Sequence, residues 1–94
     1  MDFVTFEISR KVKEKGFHLV DYIPTISQVL KWLREDKNIF VSPNLYKKGY
    51  EPYIQSTIFK DGKDYTDMWR VDEFYPSYEK AALAGIEYVL DNLI

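Results

Sequence analysis

The one histidine of the chain, His18, stands three residues before Asp21. Histidine changes charge near neutral pH, and a nearby carboxylate can orient its ring for proton transfer. A Ser-His-Asp site would take its nucleophile from Ser9, Ser27 or Ser77, and none of these lies in a nucleophile-elbow sequence. The simpler reading of His18 is a partly exposed ring in a connector. Asp61, Asp64, Asp67, Asp72 and Glu73 form an acidic run. Their spacing misses the alternating ligands and distal glutamate of a calcium loop. Asp64 and Asp72 would stand roughly 25 Å apart along an extended strand. A paired-carboxylate hydrolase would also need a cleft that so small a chain hardly provides. Charges on a sheet edge instead discourage strand-to-strand aggregation. The four glycines, at 16, 49, 62 and 85, are isolated, so there is no glycine-rich phosphate loop. Cysteine is absent, which removes thiol nucleophiles, thiolate zinc sites and disulfides. No catalytic, cofactor or metal residues are therefore assigned, and no small-molecule ligand is inferred.

Two groups of residues suit binding rather than catalysis. Tyr46-Lys47-Lys48-Gly49-Tyr50, with Tyr53 close by, interleaves aromatic rings with positive charge. Single strands of nucleic acid are held by that mixture, through base stacking and phosphate contact. Glu51 interrupts the group. A capped helix at Thr25–Lys37 followed by a hairpin also suggests a winged helix-turn-helix, with Ser27, Gln28, Lys31 and Arg34 facing DNA. Such domains place three helices before the wing, whereas two are read here. The net charge of −2 is also unlike the basic excess of a DNA binder. Charge is uneven along the chain: residues 1–48 carry nine Lys/Arg against six Asp/Glu, and residues 49–94 carry four against nine. An excess of this size is ordinary for a small surface, although it could mark a binding face.

The elements that must position these residues follow from composition and periodicity. Ninety-four residues, 46% hydrophobic and 17% aromatic, make one α+β domain spanning 1–94 and exclude a disordered chain. Val4, Ile8 and Val12 predict a first helix over 3–15, with Phe3 and Phe6 widening its stripe and Gly16 stopping it. Residues 17–24 read as a packed connector. Thr25-Ile-Ser-Gln28 is a capping box, and Ile26, Val29, Leu30 and Leu33 give the second helix a narrow apolar face flanked by Trp32. Asn38 is its C-terminal stop.

The period then changes to two. Ile39-Phe40-Val41 starts a strand that ends at Ser42-Pro43, and Asn44–Gly49 reads as a turn. A second strand spans Tyr53–Lys60, with Pro52 at its start, where a missing amide does least harm. Asp61-Gly62 predicts a type I′ turn into a third strand from about Asp64 to Val71. A two-residue loop sets Ile54, Ile58, Tyr65 and Trp69 on the core face. It leaves Tyr53, Thr57, Phe59 and Met68 on a bare opposite face for a protein partner or a second copy to cover. Ser77 caps a third helix that carries a broad apolar side and, at Gly85, a residue costing about 1 kcal/mol against Ala unless another element approaches closely. The architecture is two N-terminal helices, a three-stranded antiparallel meander, and a C-terminal helix packed on the sheet.

Three stretches carry a resemblance. The opening Met-Asp-Phe-Val-Thr-Phe-Glu with its Lys-rich helix, the segment Pro24 to Glu35, and the ending Ser77 to Ile94 resemble small proteins from gut Bacteroides and their phages. The resemblance implies an intracellular protein carried on mobile elements, and it transfers no functional residue. The N-terminus lacks a basic and apolar leader, and the Ala81–Ile86 run is too short to span a membrane, so no membrane contact and a cytoplasmic location are expected. The leading expectation is a non-enzymatic protein-interaction module, able to self-associate, using Tyr53, Phe59 and Met68. The alternative is a nucleic-acid-binding accessory protein using Lys47, Lys48, Tyr46, Tyr50, Lys31 and Arg34.

Overall fold

Six elements follow one another: α1 (Phe6–Glu14), α2 (Ile26–Asp36), β1 (Ile39–Tyr46), β2 (Gly49–Lys60), β3 (Lys63–Arg70) and α3 (Tyr78–Asn92). The computed structural model describes every residue except Met1 and Leu19, and the backbone alone of residues 58–60. The strands form an antiparallel sheet in the order β1-β2-β3. The helices lie on one face of it, with α3 against β1 and β2. This is the α+β architecture expected from the sequence.

The local signals act as the sequence predicts. Thr25 and Gln28 make both halves of the capping box at the start of α2. Ser77 accepts from the Lys80 amide at the start of α3. Gly16 (φ 105°) and Asn38 (φ 56°) adopt the left-handed conformation just past α1 and α2. Asp61 and Gly62 both have positive φ, as a type I′ turn requires.

Some tertiary expectations fail, each for a physical reason. Phe3 and Phe6 are 55% and 76% exposed rather than part of the core. Thr5 caps α1 at the Ile8 amide, so Phe3 precedes the helix and pairs with Thr25. Phe6 stands two residues from Ile8, hence on the far side of the helix. Trp32 does not merely flank the core: it is buried, edge-on to Phe17 with ring centroids 5.5 Å apart. Of the expected core face of the hairpin, Ile54 is fully buried and Trp69 packs at the margin, but Tyr65 is exposed. β1 pairs with β2 only as far as Ser56, so the distal β2–β3 ribbon leaves the cover of the helices. The side chains of Ile58 and Phe59 lie outside the described residues.

The largest correction concerns β1, which runs on through Pro43 to Tyr46, leaving Lys47-Lys48 as a two-residue turn. β2 likewise begins at Gly49 and contains Pro52 rather than starting there. Pro43 and Pro52 stand directly opposite each other. A two-residue loop closes on a hydrogen-bonded pair, here Tyr46 and Gly49, and pair types alternate from there. Pro43 and Pro52 are thus a non-hydrogen-bonded pair. Neither ring removes a donor from the β1–β2 ladder, so neither ends the strand.

Gly85 answers the question its helix position raises. A Cβ there would lie 2.5 Å from Val41 Cγ1 and 3.5 Å from Pro52 Cβ. Gly85→Ala should therefore destabilise the protein by about 1–3 kcal/mol despite alanine's better helix propensity. Chemical denaturation measures this, and Val41→Ala in the same chain should recover part of the loss.

Candidate functional site

Alternation along the strands sets Tyr46 of β1, Glu51 and Tyr53 of β2, and Met68 and Arg70 of β3 on the face turned away from the helices. Phe40, 40% exposed, shares that face, and Met68 is 57% exposed. The Tyr53 hydroxyl donates to the Met68 sulfur at 3.3 Å. The Thr57 and Thr66 hydroxyls bond each other at 3.2 Å. Among the described residues the sheet has no second layer over this face. Tyr53 and Met68, expected as interface residues, do lie together on it.

One end of the face is built differently. Glu51 is 1% exposed although it points away from the core. Arg70 donates from Nε at 2.9 Å and from Nη2 at 2.7 Å, both to Glu51 Oε1. Oε2 is buried and has no hydrogen-bond partner among the described residues. The carboxylate beside it holds the Arg70 guanidinium above its ordinary pKa, through those hydrogen bonds first and their charge attraction second.

The segment after β3 completes this end. The β2–β3 register would place Tyr50 opposite Glu73, but Tyr50 instead exchanges two 2.8 Å backbone bonds with Tyr75. Two residues are therefore looped out before Tyr75. The cause lies in Pro52: Val71 donates to its carbonyl, but Pro52 has no amide to return, so the ladder stops. Phe74, in the looped segment, meets Tyr46 edge-on at 5.9 Å, and Lys48 Nζ lies 5.9 Å from the Phe74 ring. A Cβ on Gly49 would lie 2.6 Å from the Tyr75 carbonyl oxygen, so the crossing needs glycine there. Burial, and then a bond donated to Glu73, raise the Tyr75 phenol above its ordinary pKa. That contribution to stability is present below the usual phenol pKa and is lost as pH rises through the folded value.

The cations expected to meet nucleic acid lie on two different elements. Lys47 and Lys48 occupy the β1–β2 turn, whereas Lys31 and Arg34 are exposed on α2. Tyr46 and Tyr50 project to opposite faces, Tyr50 packing edge-on to Tyr78 at 6.2 Å. They form no shared stacking platform. Part of the basic front of the chain is also spent internally: Lys11 bonds Asp91 at 3.0 Å, and Lys15 reaches the Ile94 carbonyl at 2.7 Å. The residues missed from sequence are Phe74, Arg70 and the buried Glu51. Ending β1 at Pro43 and starting β2 at Tyr53 leaves Tyr46 and Glu51 outside the expected sheet, and Phe74 lies where the β2–β3 register breaks.

Elsewhere, His18 and Asp21 are both exposed in the connector. Among the described residues no three His, Asp or Glu side chains cluster to hold a metal ion. Among them, too, no helix is long and apolar enough to cross a membrane. Phe3, Val4, Tyr22 and Ile23 line an open apolar hollow of about 620 Å³. Comparison with known protein families, with curated proteins and with solved structures returns no match.

Arg70→Ala should lower stability, because it strips the buried Glu51 carboxylate of both its hydrogen bonds. In a Glu51→Gln background the same change should cost clearly less, a coupling that a urea-denaturation double-mutant cycle measures.

Proposed function

We propose that this protein is a non-enzymatic protein-interaction module that accepts an extended polypeptide segment along β3 and onto the adjoining uncovered face. Following the resemblance of its two ends and its second helix to small proteins of gut Bacteroides and their phages, it acts inside the cell. The observation carrying this reading is the difference between the two sheet edges. β3 is exposed at every residue except Trp69, and it contains neither proline nor bulge. The β1 edge is interrupted by Pro43, whose nitrogen faces outward. Adding a strand to a free edge supplies main-chain hydrogen bonds, while alternate side chains give selectivity. Met68 on that strand and Tyr53 on the neighbouring one offer apolar contact beside that edge.

The test is a partner selected from a library of extended peptides, followed by amide hydrogen exchange on the complex. Bonds to β2 alternate from the Lys60–Lys63 pair, so the Asp64, Thr66, Met68 and Arg70 amides point outward. Those four should gain protection while β1 does not, and protection confined to other elements overturns the reading. Oligonucleotide anisotropy at two salt concentrations tests the other class. Binding that weakens steeply with salt and is lost in a Lys47→Ala, Lys48→Ala variant would reassign the module to nucleic acid.

A further inference from the structure

We infer that the strand fitting the β3 edge is β3 of a second copy, paired antiparallel about a two-fold axis at Asp67; this rests on the interaction-module reading above. Four positions, Asp64, Thr66, Met68 and Arg70, carry the outward amides and carbonyls. None of these backbone groups bonds a loop or helix among the described residues. In an antiparallel pair, an outward residue must face an outward residue for bonds to form. An axis at Asp67 sets Thr66 against Met68 of the second copy and Asp64 against Arg70 of the second copy. It is the one symmetric register that uses all four positions. An axis at Thr66 leaves Arg70 without a strand partner, and one at Met68 leaves Asp64 so. Uncovered faces stay on the same side, giving a continuous six-stranded sheet with the helices on the other.

The side chains agree with that register. Asp64 meets Arg70 of the second copy twice, by symmetry. Arg70 uses Nε and Nη2 for Glu51, and its Nη1 makes no hydrogen bond among the described residues. On the helix side, exposed Tyr65 would face the half-buried Trp69 of the second copy, an aromatic cross-strand pair. The helices lie over β1 and β2 and leave the β3 edge clear for approach. The opposing term is specific too: Asp67 would face Asp67 of the second copy on the axis, where like charges repel. The association is therefore weak, and that repulsion identifies the register.

Sedimentation equilibrium from about 10 μM to about 1 mM would test this on the wild type, on Asp67→Lys and on an equimolar mixture of both chains. Asp67 is exposed, and its side chain makes no hydrogen bond or ion pair among the described residues, so the variant should fold. A mixed dimer places Lys against Asp on the axis and should be about fivefold tighter than either homodimer. Thr66→Pro, which removes an outward amide but no bond to β2, should abolish the dimer, while Thr66→Ala should not. Chains that stay monomeric alone and mixed overturn self-pairing; the interaction-module reading then stands or falls on its own exchange experiment. A dimer indifferent to mixing and to Thr66→Pro uses another surface and also overturns the inference.

Discussion

A Cβ at residue 85 would stand 2.5 Å from Val41 Cγ1 and 3.5 Å from Pro52 Cβ, so glycine lets helix and sheet meet this closely. α3 thereby settles onto β1 and β2, with Ala81 and Ala82 buried one turn earlier. Once α3 lies there, Ile86, Val89 and Leu90 are committed to the core with Ile54. α1 and α2 then fill the remaining space around α3, and Val12, Phe17 and Leu33 close with no exposure. A small-residue contact thus sets the depth at which the helical layer meets the sheet. Close packing of this kind leaves little tolerance for one added methyl group.

Pro52 joins the opposite sides of the sheet. On the helix side its ring packs near Gly85. Along the strand its missing donor ends the β2–β3 ladder after Val71, and the chain loops out to reach Tyr50 at Tyr75. The looped segment brings Phe74 onto Tyr46 at the end of the sheet where Glu51 is buried. Burying a carboxylate is costly unless it is paired, and here Arg70 serves one oxygen only. The pair ties β2 to the end of β3. It gives the uncovered face a fixed polar corner in an otherwise aromatic and hydroxyl-bearing surface.

Charge that looks segregated in the sequence is partly reunited by the fold. Lys11 and Lys15 at the end of α1 reach Asp91 and the Ile94 carbonyl at the end of α3. Hydrogen bonding to Asp91 raises the Lys11 ammonium above its ordinary pKa, against a smaller opposing effect of desolvation. Some of the basic front is thereby joined to some of the acidic back in a single intramolecular contact. Lys47 and Lys48 remain at a strand turn, one of them lying over Phe74.

Helix caps, left-handed stops and the Asp61-Gly62 turn were legible in the sequence because each depends on residues within four positions of one another. Thr25 with Gln28, Ser77 with the Lys80 amide, and Gly16 and Asn38 at positive φ are such cases. The alternation that sets Tyr53 and Met68 on one face was legible for the same reason, since a two-residue turn fixes the register. Proline read locally suggested that the first strand stops at Pro43. Only its place opposite Pro52, in a pair needing no amide from either, shows why the strand continues. The burial of Glu51, the exposure of Tyr65, and the meeting of Tyr46 with Phe74 were likewise decided by tertiary structure. Each depends on which surfaces of distant segments come together, and composition and periodicity along a single segment do not encode that choice.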